Sequence, residues 1–223
     1  MTRRPEGDSS RGRFVVLEGV EGAGKSTQAR MLGEWLSGCG IRFTLTREPG
    51  GTEVGEAIRN VVQDRPELSI PAETELLLYL AARTAFVKEV ALPVLERGEL
   101  LIADRFSLST YAYQGYGRGL DLDEVRRMDR FASGGLAPDV YVVLDLPVEE
   151  GRARQKAAGK EDDRLESSGE GFLKAVGRGY RELASTDESV RLVDARGTPL
   201  EVHKRVREVL RRELPETFAI CKD

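Results

Sequence analysis

A parallel β-sheet covered by helices is the fold this sequence predicts, and two patterns predict it. Short continuous apolar runs recur at Phe14–Leu17, Phe43–Leu45, Leu100–Ala103 and Val140–Leu144, with a weaker one at Val190–Val193 before Asp194. Runs of this kind suit strands buried on both faces. Between them lie stretches with helical spacing, and strands alternating with helices mean βαβ units. The 223 residues, 40% of them hydrophobic, suit one domain of this class and exclude disorder for most of the chain.

Each element has its own signal. Lys25 to Ser37 places Met31, Leu32, Trp35 and Leu36 at helical spacing, and Gly38 to Gly40 is expected to end it. Ala72 to Glu96 reads as one long apolar helix carrying Leu76, Leu77, Leu80, Phe86, Val90 and Leu95. Thr198-Pro199-Leu200-Glu201 is a capping box with proline at the first helical position, opening a helix through Leu210. Met1–Arg13 and residues 213–223 read as tails around a single domain, residues 14–212, in which no repeat or linker appears. Segment 151–168 is charged, glycine-punctuated and poor in large apolar residues, which suits either a solvated loop or a lid over a substrate.

Composition narrows the chemistry. A net charge of −4 argues against a dedicated nucleic-acid binder. Arginine (27) far outnumbers lysine (7), which favours fork-shaped contacts to oxyanions. The one histidine, His203, is expected on a solvated helix face, so histidine triads and histidine-rich metal sites are excluded. Cys39 and Cys221 form no metal or redox motif and are expected to be reduced bystanders. With no apolar run near 18 residues and no signal-peptide core, a soluble cytoplasmic protein is expected.

Gly19-Val20-Glu21-Gly22-Ala23-Gly24-Lys25-Ser26 matches the phosphate-binding loop G-x-x-x-x-G-K-[ST], with a strand before it and a helix after it. Its glycines let successive N–H groups converge on a phosphate at the helix N-terminus. Lys25 is placed to reach the β- and γ-phosphates of ATP, and the Ser26 hydroxyl to take a Mg²⁺ position. The fold prediction thereby sharpens to a P-loop NTPase with a five-stranded parallel sheet. The loop does not say where the γ-phosphate goes, and switches share it with kinases.

A kinase for a small phosphorylated acceptor needs a second anion site facing the first. Arg47, in Thr46-Arg47-Glu48-Pro49-Gly50-Gly51-Thr52, follows the second strand, and Asp104-Arg105-Phe106 follows the third, where open α/β sheets place ligands. Each could also be an ordinary surface residue or strand-end ion pair. Tyr79 and Arg83 are four apart and share a helical face, and a buried guanidinium on an apolar stretch needs an acceptor.

Five blocks in order, Gly19–Gln28, Arg47–Thr52, Tyr79–Arg83, Asp104–Gly115 and Asp163–Glu166, resemble the thymidylate kinase family. The resemblance covers about Phe14 to Leu210 and implies a nucleoside-monophosphate-kinase-like fold with a lid, transferring phosphoryl from MgATP to dTMP. It implies that Gly19 to Thr27 cradle ATP and that Asp194-Ala195 border adenine through backbone. Tyr79 would stack on thymine, Arg83 would bond its edge, and Ser109 and Gln114 would lie against the base. Tyr113 would crowd the ribose 2′ position, and Glu21 would accept from the 3′-hydroxyl. Arg47 and Arg105 would hold the acceptor phosphate beside Pro49, whose preceding peptide is expected cis. Asp104 would support the Mg²⁺ site with Ser26. Family members are usually homodimers.

Two departures stand out. Phe106 replaces a frequent tyrosine or histidine, and the spacing of Arg152, Arg154, Lys156 and Lys160 before Asp163-Arg164 is about one residue longer than in close bacterial relatives. Gly22 stands where some members carry arginine. A catalytic arginine is therefore expected from the lid, Arg154 or Arg164, with Arg164 the better motif match. No general base is needed, because a phosphate monoester oxygen is already anionic near neutral pH.

Overall fold

The computed structural model describes residues 11–159 and 163–221. All five apolar runs are strands: β1 (Phe14–Glu18), β2 (Phe43–Arg47), β3 (Leu100–Asp104), β4 (Val140–Asp145) and β5 (Val190–Asp194). They form one parallel sheet in the order β2-β3-β1-β4-β5, so β1, β3 and β4 are flanked on both sides. These three are buried almost throughout, while β2 and β5 alternate, as edge strands with one wetter face do. Parallel order aligns the carboxyl ends of the strands, where Gly19, Arg47, Asp104 and Asp194 all lie.

The helices cover both faces. They are α1 (Lys25–Cys39), α2 (Glu53–Gln63), α3 (Ala72–Phe86), α4 (Leu92–Glu96), α5 (Ser107–Thr110), α6 (Leu122–Ser133), α7 (Val148–Ala157), α8 (Glu170–Thr186), α9 (Pro199–Glu213) and α10 (Pro215–Phe218). Helix α1 runs through Gly38 and ends at Gly40, whose φ of 72° lets its N–H reach Leu36 and Ser37 carbonyls. Thr52 caps α2 by accepting from Gly55 N, and the capping box at Thr198 and Glu201 opens α9 as the sequence predicts. The long helix expected over residues 72–96 is present with a π-helical stretch, Val87–Ala91, ahead of Pro93. A second π-helical stretch, Tyr111–Gly117, continues α5 and carries Tyr113 and Gln114. Such stretches widen a helix and cluster at functional sites.

Three expectations are corrected. Residues 213–221 are not a loose tail: Phe218 is buried and stacked on Trp35 at 5.4 Å, and Arg211 Nη2 donates to the Cys221 carbonyl at 3.0 Å. Cys39 and Cys221 are not reduced bystanders but a disulfide, because the C-terminal turn folds back onto the end of α1. His203 is not solvated; it is buried against Trp35, with Nδ1 3.1 Å from Gln28 Oε1. Of the N-terminal tail, Met1–Ser10 lies outside the described residues, while Arg13 pairs with Asp139 at 3.2 Å.

Candidate active site

The loop after β1 is shaped by close backbone approach. At Gly22, φ is 72° and a Cβ would lie 2.1 Å from the Gly151 carbonyl oxygen. At Gly151 a Cβ would lie 2.3 Å from the Glu21 carbonyl oxygen. The P-loop and the start of the lid segment are thus packed glycine to glycine, which leaves no room for an arginine at position 22. Lys25 is buried and its Nζ donates to the Gly19 and Val20 carbonyls at 3.1 Å each. Burial, together with the nearby Arg105, lowers its pKa from the ordinary lysine value. Ser26 Oγ donates to Asp104 Oδ2 at 3.2 Å, bringing a hydroxyl from the first turn of α1 and a carboxylate oxygen from the end of β3 together.

A cleft of about 610 Å³ runs from this loop, lined by Glu21 to Gln28, Arg47, Arg59, Asp104, Arg105 and Arg154. Gly197, Pro199 and Val202 line it as well, whereas Asp194 and Ala195 do not line it. These two act from behind: Arg205 Nη1 donates to the Asp194 carbonyl at 2.8 Å, and Arg154 Nη2 to the Ala195 carbonyl at 3.0 Å. Arg47 forms a two-pronged pair with Glu56 of α2, and Arg59 Nη1 donates to the Pro49 carbonyl at 3.3 Å. The Glu48–Pro49 peptide is cis, as the resemblance implies.

A second cavity adjoins the cleft and shares Glu21, Glu48, Gln63, Arg105 and Asp163 with it. Its other lining residues include the expected Pro49, Tyr79, Arg83, Ser109, Tyr113 and Gln114, with Phe106, Thr110 and Leu165 beside them. Arg105 sits where the two spaces meet. Its φ of 76° is unusual for a residue with a Cβ. The turn is held by Arg105 N donating to the Leu17 carbonyl and Phe106 N to Glu18 Oε1, both at 2.9 Å. Its guanidinium pairs with Glu21 and donates to Tyr113 Oη at 3.1 Å and Ser109 Oγ at 3.0 Å.

The walls are held by buried carboxylates that sequence reading passed over. Glu18, fully buried, accepts from Phe106 N, Ser109 N, Ser109 Oγ and Tyr180 Oη, and burial raises its pKa. Arg83 is buried between Glu48 and Asp129, each 2.5 Å away, and donates to Thr110 Oγ1 at 2.9 Å. Among the described residues, Glu48 Oε1 is buried without a hydrogen-bond partner, and burial pushes this carboxyl up to about 7 against the pull of Arg83. Glu75 accepts from Gln114, Arg118 and Arg164, and these bonds outweigh burial and hold it below the usual carboxylate range.

Arg164 therefore departs from its expected place. It is buried on Glu75, behind the second cavity, and does not line the P-loop cleft, its Nε drawn to the Val62 carbonyl and its Nη2 to Glu75. Arg154 is the lid arginine that lines the cleft. The missed residues Arg59 and Thr110 had signals: Arg59 lies 12 positions after Arg47 on the helix Thr52 caps, and Thr110 lies one turn after Phe106.

These features agree with comparison to known proteins. The sequence model of the thymidylate kinase family matches residues 17–206. Thymidylate kinase of Desulforudis audaxviator is 50% identical over 177 residues, covering 79% of each chain. That of Synechococcus sp. RCC307 is 43% identical, covering 92% of this chain and 98% of the relative. The crystal structure of thymidylate kinase from Ehrlichia chaffeensis superposes with a TM-score of 0.73 at 27% identity, covering 90% of this chain and 99% of that one. A P-loop beside an arginine-lined cavity, in a chain this similar throughout, places the protein in the thymidylate kinase family.

Proposed function

We propose that the cleft holds ATP and the adjoining cavity holds dTMP, phosphates meeting at Arg105. The reaction of the chain is phosphoryl transfer from ATP to dTMP, giving ADP and dTDP. The observation that carries the site assignment is the shared wall: Glu21 and Arg105 border both spaces, so two nucleotides there would face each other end to end.

The nucleophile is an acceptor phosphate oxygen that needs no base, so catalysis is positioning and charge stabilisation. Lys25 and the P-loop backbone would hold the donor phosphates. Arg47, Arg59 and Arg105 would hold the acceptor phosphate, with Glu21 and Tyr113 at the sugar. Tyr79 would stack on the base, while Arg83, Thr110 and Gln114 read its edge. Ser109 has its oxygen engaged by Glu18, Arg105 and Tyr180, which makes it a support for Arg105. Arg154, on the cleft side of the lid, is the residue we assign to the transferring phosphoryl.

Mg²⁺ fits the Ser26–Asp104 pair, since hard oxygen donors from one or two side chains plus phosphates and waters are its usual shell. When bound it spreads the charge of the donor phosphates. We place the protein in the cytoplasm, acting without nucleic acid. In support, no helix among the described residues is long and apolar enough to cross a membrane, and the net charge is −4. A homodimer through α2, α3 and α6 is supported by the exposed Val54, Leu77 and Phe131, the last 91% exposed. Sedimentation tests that assembly.

A coupled assay with dTMP, dUMP, CMP, AMP and thymidine tests the acceptor. Fastest turnover with dTMP is expected, and ATP binding without dTMP binding would overturn the reading.

A further inference from the structure

Glu75 and Arg164 are joined in a way the phosphoryl-transfer reading does not use. Glu75 lies one helical turn before Tyr79 and is fully buried. Its Oε1 accepts from Gln114 Nε2 at 2.9 Å and Arg118 Nε at 3.1 Å. Its Oε2 accepts from Arg118 Nη2 at 2.9 Å and Arg164 Nη2 at 2.5 Å. Arg164 in turn donates from Nε to the Val62 carbonyl at 2.8 Å and from its backbone N to the Gln63 carbonyl at 3.3 Å. One guanidinium therefore fastens Asp163–Leu165 to the end of α2 and to Glu75, which stands behind Gln114 of the acceptor wall. Asp163 and Leu165 themselves line that cavity.

We propose that Arg164 and Glu75 form a latch seating the far end of the lid segment on the acceptor pocket. Glu75 is the positioning residue that serves the lid and the base-reading Gln114 at once. The inference rests on the acceptor reading of this cavity. A carboxylate only accepts, so it fixes the Gln114 amide with nitrogen outward and oxygen left for the cavity. The same carboxylate holds Arg164, and pulling that arginine away would leave part of a buried charge unmet. Base recognition and lid seating thus share one anchor. At its other end the lid is packed on the P-loop through Gly151, so both ends of the segment are tied to substrate-facing walls.

Glu75→Gln, Arg164→Met, Arg164→Lys and the Glu75→Gln/Arg164→Met double variant test the latch against an arginine that swings to the phosphates. The readouts are kcat, KM for dTMP and ATP hydrolysed per dTDP formed. The latch predicts that Arg164→Met raises KM for dTMP about tenfold and raises the hydrolysis ratio several-fold. Arg164→Lys should not rescue, because an ammonium lacks the fork that meets Val62 and Glu75 together. Glu75→Gln should move the same way, and the double variant should be little worse than either single one. A swinging finger predicts instead a kcat loss of roughly 10³–10⁵ for Arg164→Met with KM unchanged. It also predicts Glu75→Gln at wild-type speed or faster. That result, or lowered thermal stability with KM and hydrolysis ratio unmoved, overturns the proposal. If Glu75→Gln does not fold, the two Arg164 variants decide alone. Wild-type turnover of dTMP reports separately on the acceptor reading.

Discussion

Replacing Glu18 is the sharpest test of how the site is held, because this carboxylate lines neither cavity yet organises the Arg105 turn from behind. Its Oε1 accepts from Phe106 N at 2.9 Å and Ser109 N at 3.1 Å. Its Oε2 accepts from Ser109 Oγ at 2.6 Å and Tyr180 Oη at 2.9 Å. Glu18→Leu orphans both N–H groups at a cost of about 1–3 kcal/mol each, whereas the two hydroxyls, 2.9 Å apart, can still pair with each other. Leucine burial returns about 1.5–3 kcal/mol, so the net loss is about 2 kcal/mol, or roughly 4–8 °C in Tm for a domain of this size. Glu18→Gln keeps an oxygen for both N–H groups and offers an NH₂ to hydroxyls that can turn to accept. It should cost no more than about 1 kcal/mol. Since Arg105 sits at a φ of 76° maintained by this turn, the leucine variant should also lose kcat on the order of 10²-fold. Thermal unfolding followed by circular dichroism and a coupled kinase assay measure both. Equal Tm and kcat for the two variants would refute the argument that the N–H groups, and not the charge, matter most.

Other consequences follow from the same geometry. Gly151→Ala puts a methyl 2.3 Å from the Glu21 carbonyl, so α7 must lift from the P-loop. It should cost about 1–3 kcal/mol and raise KM for ATP, and an unchanged KM would contradict the packing. Burial raises the Glu48 carboxyl from 4.5 to about 7, so the native protein keeps a proton that the unfolded chain releases in this window. Stability should therefore fall by about 1–3 kcal/mol as pH rises from 4.5 to 7, and Glu48→Gln should flatten that slope in urea titrations. The Cys39–Cys221 disulfide predicts no titratable thiol in denatured, unreduced protein and two after reduction. Reduction should lower stability by about 2–4 kcal/mol, read as a shift in thermal midpoint; thiols present before reduction would exclude the bond.

The sheet was legible because a buried parallel strand is a local apolar run, and the phosphate loop because its glycines must be adjacent in sequence. The acceptor blocks were legible only as a resemblance. Spacing alone could not place Tyr113 and Gln114 toward one cavity, because a π-helical stretch resets the periodicity between Tyr111 and Gly117. The buried carboxylates were illegible for a different reason: Glu18 meets Tyr180 across 162 positions and Glu75 meets Arg164 across 89. A single sequence carries no sign of such pairing. His203 and the cysteines were misplaced because the turn after α9 brings Phe218 and Cys221 back onto α1. The partner of Arg164 was illegible because a motif match gives a residue its name and not the Glu75 carboxylate it meets.

What unites the acceptor wall is that its substrate-facing groups are oriented by carboxylates behind them. Arg83 has five N–H donors, and among the described residues four are engaged: two on Glu48, one on Asp129 and one on Thr110. One donor is left. Thr110 Oγ1 accepts from Arg83, which leaves its proton for a ligand. Gln114 gives its nitrogen to Glu75, which leaves its oxygen. On the proposed acceptor reading, the free Arg83 and Thr110 donors and the Gln114 oxygen would meet a base edge that carries two carbonyls and an N–H. A cytosine edge would set its amino group against a donor and its bare ring nitrogen against the Gln114 oxygen, acceptor against acceptor. Because buried carboxyl groups hold Arg83 and Gln114 in the folded protein, the proposed reading makes the preference part of the wall before any nucleotide arrives.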